Sequence, residues 1–197
     1  MYKVGITGGI GSGKSSVCKM LALRGVPIYD SDSRAKQLMV TDAELVRLVS
    51  QRFGADVYVD GMLNRQVLAA RVFTDKVALA ELNSIVHPAV MRDFERWAAE
   101  QQTAYVVMES AIIFEAGLDD KLDAVVAVMA PCSLRLERAM QRDGATREQI
   151  EERMRTQLSD DELARRAKYA IVNISLDELD EEVEQLHRRL SYDARAK

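Results

Sequence analysis

Residues Gly5–Ser16 read GITGGIGSGKSS, and this stretch decides the fold. Gly8, Gly13, Lys14 and Ser15 satisfy the spacing G-x-x-x-x-G-K-[ST] of a Walker A loop, a glycine-rich turn whose backbone N–H groups close around phosphate oxygens. The helix that follows such a turn adds its positive end. The flanks agree: Tyr2–Thr7 (YKVGIT) is apolar and β-branched, as a buried strand is, and Lys14–Arg24 places Val17, Met20 and Leu21 on one helix face. Gly9, Ile10, Gly11, Ser12, Gly13, Lys14, Ser15 and Ser16 are therefore candidate phosphate binders. Lys14 is the expected point charge on the β- and γ-phosphates, and the Ser15 hydroxyl the expected Mg²⁺ ligand. ATP or GTP with magnesium follows as the first expectation.

Composition narrows the class. A chain of 197 residues with 48% hydrophobic and 29% charged content suits one α/β domain with a small inserted lobe. A net charge of −4 argues against general nucleic-acid binding, which needs a basic excess, so any anionic ligand must be met by local clusters. The arginines are uneven: Arg135, Arg138, Arg142, Arg147, Arg153, Arg155, Arg165 and Arg166 crowd one third of the chain. No apolar run approaches a membrane span, and strand one begins at once, leaving no room for a signal peptide; a cytoplasmic protein is expected. Cys18 and Cys132 have neither metal nor redox spacing and read as two reduced, partly buried thiols.

Helix and strand signals alternate as a parallel, helix-flanked sheet requires. Val26–Tyr29 reads as a second strand, Tyr105–Met108 and Ala124–Met129 as short buried strands, and Ala170–Val172 as a last one. Between strand two and Tyr105, the stretches Leu38–Phe53, Gln66–Phe73 and Val77–Gln101 read as helices with a turn at Asp60-Gly61 and no strand signal. Leu176, Leu179, Val183, Leu186 and Leu190 recur at helical steps, either a short coiled coil or a terminal helix docked on the sheet. The expected organisation is a core over about 1–35, 103–130 and 168–197, a helical lobe over about 36–102 and a lid over about 131–167. A monomer or weak homo-oligomer is expected.

A P-loop does not name a reaction. A GTPase would carry Asp-x-x-Gly and Asn-Lys-x-Asp, and a transport ATPase Leu-Ser-Gly-Gly-Gln; none of these strings occurs. A small kinase or a nucleotide-binding regulator without turnover remains. Glu109, directly after a strand beside the loop, is the candidate magnesium-side acid. Asp30 and Asp32 follow at the carboxyl end of strand two. Residues two apart in extended chain point the same way, so both can serve an acceptor, unless one caps the helix starting near Ser33. In the lid, Arg135, Arg138 and Arg142 share one helix face. Arg135 reads as solvated. Arg138 and Arg142 precede Asp143-Gly144, a helix break suited to a hinge whose closure brings guanidinium groups onto the γ-phosphate.

These residues carry a resemblance. TGGIGSGKSS at Thr7–Ser16, YDSDSRAK at Tyr29–Lys36, DGMLNRQVLAARVF at Asp60–Phe73, His87-Pro88, IIFE at Ile112–Glu115, ERAMQRDG at Glu137–Gly144 and Asn173 resemble, in order and over nearly the whole length, the dephospho-coenzyme A kinases. The resemblance implies a P-loop core with a helical substrate lobe and a lid, and ATP-dependent phosphorylation of the ribose 3′-hydroxyl of dephospho-CoA to give coenzyme A. It implies that Asp32 lies near the acceptor hydroxyl, that Arg65 and His87 belong to the lobe accepting dephospho-CoA, that Arg142 reaches the transferring phosphate, and that Asn173 lies near adenine through backbone contacts. Lys36 stands where the family usually has arginine, so a forked phosphate contact there becomes a point charge. His87 stays open between a packing and a substrate role. A kinase of another small acceptor, such as a nucleoside monophosphate or sugar acid, is the second reading.

Overall fold

The computed structural model describes residues 1–72 and 75–197. In chain order the elements are β1 (Tyr2–Thr7), α1 (Lys14–Leu23), β2 (Ile28–Asp30), α2 (Ser31–Thr41), α3 (Ala43–Phe53), β3 (Tyr58–Val59), β4 (Met62–Leu63), α4 (Arg65–Val72) and α5 (Lys76–Ala99). There follow β5 (Tyr105–Glu109), β6 (Ala124–Met129), α6 (Cys132–Asp143), α7 (Arg147–Arg155), α8 (Asp160–Arg166), β7 (Tyr169–Val172) and α9 (Leu176–Ala196). They form two compact units, Met1–Tyr29 with Ala98–Lys197, and Asp30–Trp97.

In the first unit the strands run in the order β2-β5-β1-β6-β7. The strand before the Walker A loop is thus central, paired in parallel with β5 (Gly5 opposite Met108, Ile6 opposite Glu109) and with β6 (Gly5 opposite Val125). Chain order reverses beside β1, and an α/β sheet opens its binding crevice at the carboxyl ends of strands at such a point. Val4, Ile6, Val106, Val107, Val126 and Val128 are fully buried, as strands covered on both faces must be. Val17, Cys18 and Leu21 of α1 and Leu179, Val183, Leu186 and Leu190 of α9 pack into one core with Val4, Ile6, Val107, Val126 and Val128. The terminal leucine repeat therefore docks on the sheet. At the other end of the strands Tyr2, Lys168 and Tyr169 all donate to Asp193 Oδ2 on α9, at 3.2, 2.6 and 2.8 Å.

The second unit departs from the sequence reading in two places, and at Asp30 it takes the capping alternative. The helix predicted over Leu38–Phe53 is two helices, because Asp42 leaves the helical conformation and its Oδ1 accepts from Glu44 and Leu45 N–H at 3.0 Å, starting α3. The Asp60-Gly61 turn closes a minimal hairpin, β3 with β4, both turn residues at positive φ (52° and 76°). Asp30 and Asp32 are not an extended pair: α2 begins at Ser31, Asp30 is its N-cap, and Oδ1 accepts from Asp32 and Ser33 N–H at 3.1 Å while Oδ2 accepts from Ser33 Oγ at 2.6 Å. Asp30→Ala should lower unfolding stability by about 1 kcal/mol, read as a fall in Tm, whereas Asp30→Asn should leave it nearly unchanged. The predicted Gln66–Phe73 helix is α4, and its last residue, Phe73, lies outside the described residues. Arg34 on α2 ties to Asp93 on α5 through Nε and Nη2, at 2.8 and 2.6 Å.

Candidate active site

The loop after β1 is built around glycines that nothing larger can replace. Gly13, at φ 95°, is the N-cap of α1, and no side chain caps that helix. A Cβ on Gly13 would collide with the Asn173 side chain, and one on Gly11 with the Arg135 main chain. Two loop amides are committed to the protein: Ser12 N–H donates to Gly9 O at 3.2 Å and Ile10 N–H to Gln157 Oε1 at 2.8 Å. The N–H groups of Gly11, Gly13 and Ser15 donate to no described residue. Of the predicted phosphate binders, Ile10, Ser12 and Ser16 thus spend their N–H groups within the protein, Ser16 on Gly13 O at 3.0 Å, while those of Gly11, Gly13 and Ser15 do not. Ser16 is half-buried in the first turn of α1. Lys14 Nζ donates to Gly8 O and Gly9 O, at 2.8 and 3.2 Å, which holds the ammonium over the loop.

Ser15 and Glu109, far apart in sequence, meet: Ser15 Oγ donates to Glu109 Oε1 at 2.8 Å. Glu109 is the last residue of β5 and lies opposite Ile6 in the register, which brings its carboxylate beside the loop. A hydroxyl and a carboxylate form an oxygen donor set of the kind that suits Mg²⁺, an ion that binds through few protein ligands and keeps waters and phosphate oxygens. Among the described residues no cluster of three or more His, Cys, Asp or Glu is placed to hold a metal by itself.

Asn173 and Arg138 also converge on the loop. Asn173 is buried, its Nδ2 donating to Ser12 O at 2.9 Å, while Arg138 Nη1 donates to Asn173 O at 3.2 Å and Nη2 to Ile174 O at 3.2 Å. Arg135 corrects the sequence reading. It is not solvated: only 6% exposed, it donates from Nε to Ile10 O at 3.0 Å and pairs through Nη1 with Asp160 Oδ1 at 2.7 Å. Spacing placed it on the same helix face as Arg138, but the glycine loop covers it. Cys132 is exposed rather than partly buried, whereas Cys18 is buried. Gln157 and Asp160 were not singled out by any pattern, since their partners lie in distant loop and helix positions.

Arg142 ends α6 exposed, its Nε and Nη2 donating to both oxygens of Asp143 at 2.7 and 3.1 Å, with Arg153 on the same carboxylate at 2.7 Å. Arg142 first, and Arg153 after it, hold the Asp143 carboxyl well below the usual carboxylate range. Asp32, Lys36, Arg65 and His87 all belong to the second unit. Asp32 and Lys36 are one turn apart on α2, both exposed, and the Asp32 carboxylate accepts no hydrogen bond among the described residues. Arg65 opens α4, exposed. His87 is half-buried within α5 just before Pro88, and burial holds its imidazole below the ordinary 6.5. Burial thus favours its neutral form, which suits packing or a hydrogen bond better than a cationic phosphate contact.

Comparison with known proteins agrees with this geometry. The dephospho-CoA kinase family model matches residues 2–178. A dephospho-CoA kinase of Bacteroides fragilis is 42% identical over 172 residues, 87% of this chain and 84% of the relative. One from Chlorobaculum tepidum is 42% identical over 196 residues, 95% of this chain and 94% of the relative. A crystal structure from Thermus thermophilus superposes with a TM-score of 0.83 at 33% identity, covering 95% of this chain and 96% of that one. At 22% identity, a dephospho-CoA kinase structure from Campylobacter jejuni (TM-score 0.69, covering 97% and 98%) speaks for the fold alone. With the Walker A loop, the Ser15–Glu109 pair and the central β1 already in place, the chain belongs to the dephospho-CoA kinase family.

Proposed function

We propose that the protein transfers the γ-phosphoryl group of ATP to the ribose 3′-hydroxyl of dephospho-CoA, giving coenzyme A and ADP. The observation that carries this reading is the phosphate loop with its Lys14 and Ser15–Glu109 groups, in a chain of this family. Gly11, Gly13 and Ser15 N–H groups are assigned to phosphate oxygens, and Lys14 to the charge that grows on the transferring group. Ser15 and Glu109 are the proposed holders of Mg²⁺, which would offset the negative charge of the phosphates. Asp32 is the proposed hydrogen-bond acceptor for the attacking hydroxyl, and Lys36, Arg65 and His87 are proposed to contact the acceptor nucleotide. Arg138 and Asn173, already packed on the loop, are proposed to border the adenine side of ATP. The compartment we propose is the cytoplasm, where the two free cysteines stay reduced.

The test is product formation with Mg-ATP and a panel of dephospho-CoA, AMP, CMP, gluconate and shikimate. ADP should appear with dephospho-CoA. ADP with another acceptor and none with dephospho-CoA would name a different kinase, and ADP with none of them a nucleotide-binding regulator.

Arg142 has a role only if its guanidinium exchanges Asp143 for the transferring phosphate. Arg142→Ala should lower kcat roughly 10- to 100-fold and leave dephospho-CoA affinity nearly unchanged. Arg147 is the control, an exposed arginine paired one turn away with Glu151, and Arg147→Ala should change kcat little. Equal small effects of both substitutions would reduce Arg142 to a surface charge.

A further inference from the structure

The Ile10 peptide units are gripped from outside the loop. Ile10 N–H donates to Gln157 Oε1, in the segment between α7 and α8, and Ile10 O accepts from Arg135 Nε, on α6. Arg135 is in turn held by Asp160 in the first turn of α8. The guanidinium lies so close to Gly9 that a Cβ there would strike it.

In a trans peptide the C=O and the following N–H point in opposite directions, and no cis peptide bond is present among the described residues. Two consequences follow. The Ile10 N–H turned to Gln157 aims Gly9 O the other way, where it accepts from Lys14 Nζ and Ser12 N–H. The Ile10 O turned to Arg135 aims Gly11 N–H away from α6, and that N–H donates to no described residue. The orientation of one phosphate-facing amide and of one carbonyl seat of the lysine is thus set by side chains that follow the loop by more than a hundred residues.

We propose that Arg135, Gln157 and Asp160 are positioning residues of the phosphate loop, locking the Gly9–Ile10 and Ile10–Gly11 peptide planes so that the loop is shaped for the nucleotide before it arrives. This rests on the reading that the loop binds ATP. The three residues touch the loop and not the reacting atoms. They also join the loop to the segment between α7 and α8, so a displacement of that segment is felt at Gly11.

The experiment is calorimetric titration of the full chain with Mg-ATP in the absence of any acceptor, with Tm recorded for each variant. Gln157→Met keeps volume and removes the acceptor; Arg135→Lys keeps charge and removes the planar fork that spans Ile10 O and Asp160. Each should weaken Mg-ATP binding roughly fivefold to tenfold, the usual weight of one or two hydrogen bonds. The double variant should bind little worse than the weaker single, because both act on the same pair of peptide planes. A merely structural pair would lower Tm and leave the affinity alone. Mg-ATP affinity within twofold of wild type in Gln157→Met overturns the proposal, as does a double variant whose losses multiply. Gln157 is half-buried and outside any helix, so it decides the matter by itself should Arg135→Lys not fold. Wild-type protein that binds Mg-ATP but does not phosphorylate dephospho-CoA would refute the proposed function while leaving this test valid, and wild-type protein that binds no Mg-ATP would overturn both.

Discussion

Lys14→Ala should lower kcat about 10²–10³-fold, the usual loss when one preorganised electrostatic contact to the transition state is removed. Phosphoryl transfer passes through a loose transition state whose charge spreads over equatorial oxygens, so the protein works by placing positive charge and donors rather than by covalent chemistry. Lys14 is the proposed carrier of that charge. Its ammonium is seated on Gly8 O and Gly9 O, contacts that orient the side chain, and it takes no part in the apolar core under α1. The variant should therefore keep its Tm within a few degrees while losing turnover. Lys14→Arg should not restore the rate, because a planar fork cannot replace a compact point charge on a short reach. Single-turnover measurement with saturating Mg-ATP checks this, and activity within threefold of wild type would remove the lysine from the mechanism.

Asp32→Asn should slow transfer by about 10²–10⁴, the range for a positioned general base, with Mg-ATP binding retained. An ordinary aspartate, with a pKa near 3.9, cannot deprotonate a ribose hydroxyl in advance. It can accept the hydroxyl's hydrogen bond and take the proton late, as bonding to phosphorus lowers the oxygen's basicity. The fold sharpens the comparison. Asp30, not Asp32, caps α2, so Asp32 owes its place to no capping bond and its carboxylate is exposed. Asp30→Asn keeps the cap and should leave the rate within a few-fold. The measurement is single-turnover transfer and ATP affinity for both variants. Near-normal turnover in Asp32→Asn, or a larger loss in Asp30→Asn, would contradict the assignment.

What was legible in the sequence was whatever local spacing controls. The Walker A loop, β1, β5, β6 and the apolar stripe of α9 follow from short-range pattern and burial. What was not legible depends on contacts between distant segments. The spacing of Arg135, Arg138 and Arg142 puts them on one helix face but cannot say that a loop covers the first of them. Asp42 sits inside an unbroken helical pattern, and only its Asx cap, with Glu44 behind it, signals the break. Asp60-Gly61 between Tyr58-Val59 and Met62-Leu63 is a hairpin signal that the short strands hid. Of the two readings open for Asp30 and Asp32, the cap is the one the fold takes, because the strand ends at Asp30 and the helix starts one residue later.

The central position of β1 also bears on the order in which the chain folds. β1 is made first, yet its partners β5 and β6 begin at Tyr105 and Ala124, and the residues that fasten its start, Lys168, Tyr169 and Asp193, come later still. On the ribosome the nucleotide loop must wait, flanked by an unpaired strand, until most of the chain has emerged. Asp30–Trp97, by contrast, is a continuous segment whose internal contacts lie within reach of one another during synthesis. Closing the large loop around β1 costs chain entropy that only the β5 and β6 ladders return. Substitutions that weaken β6 should thus slow the maturation of the ATP site itself, even where they touch no residue of it.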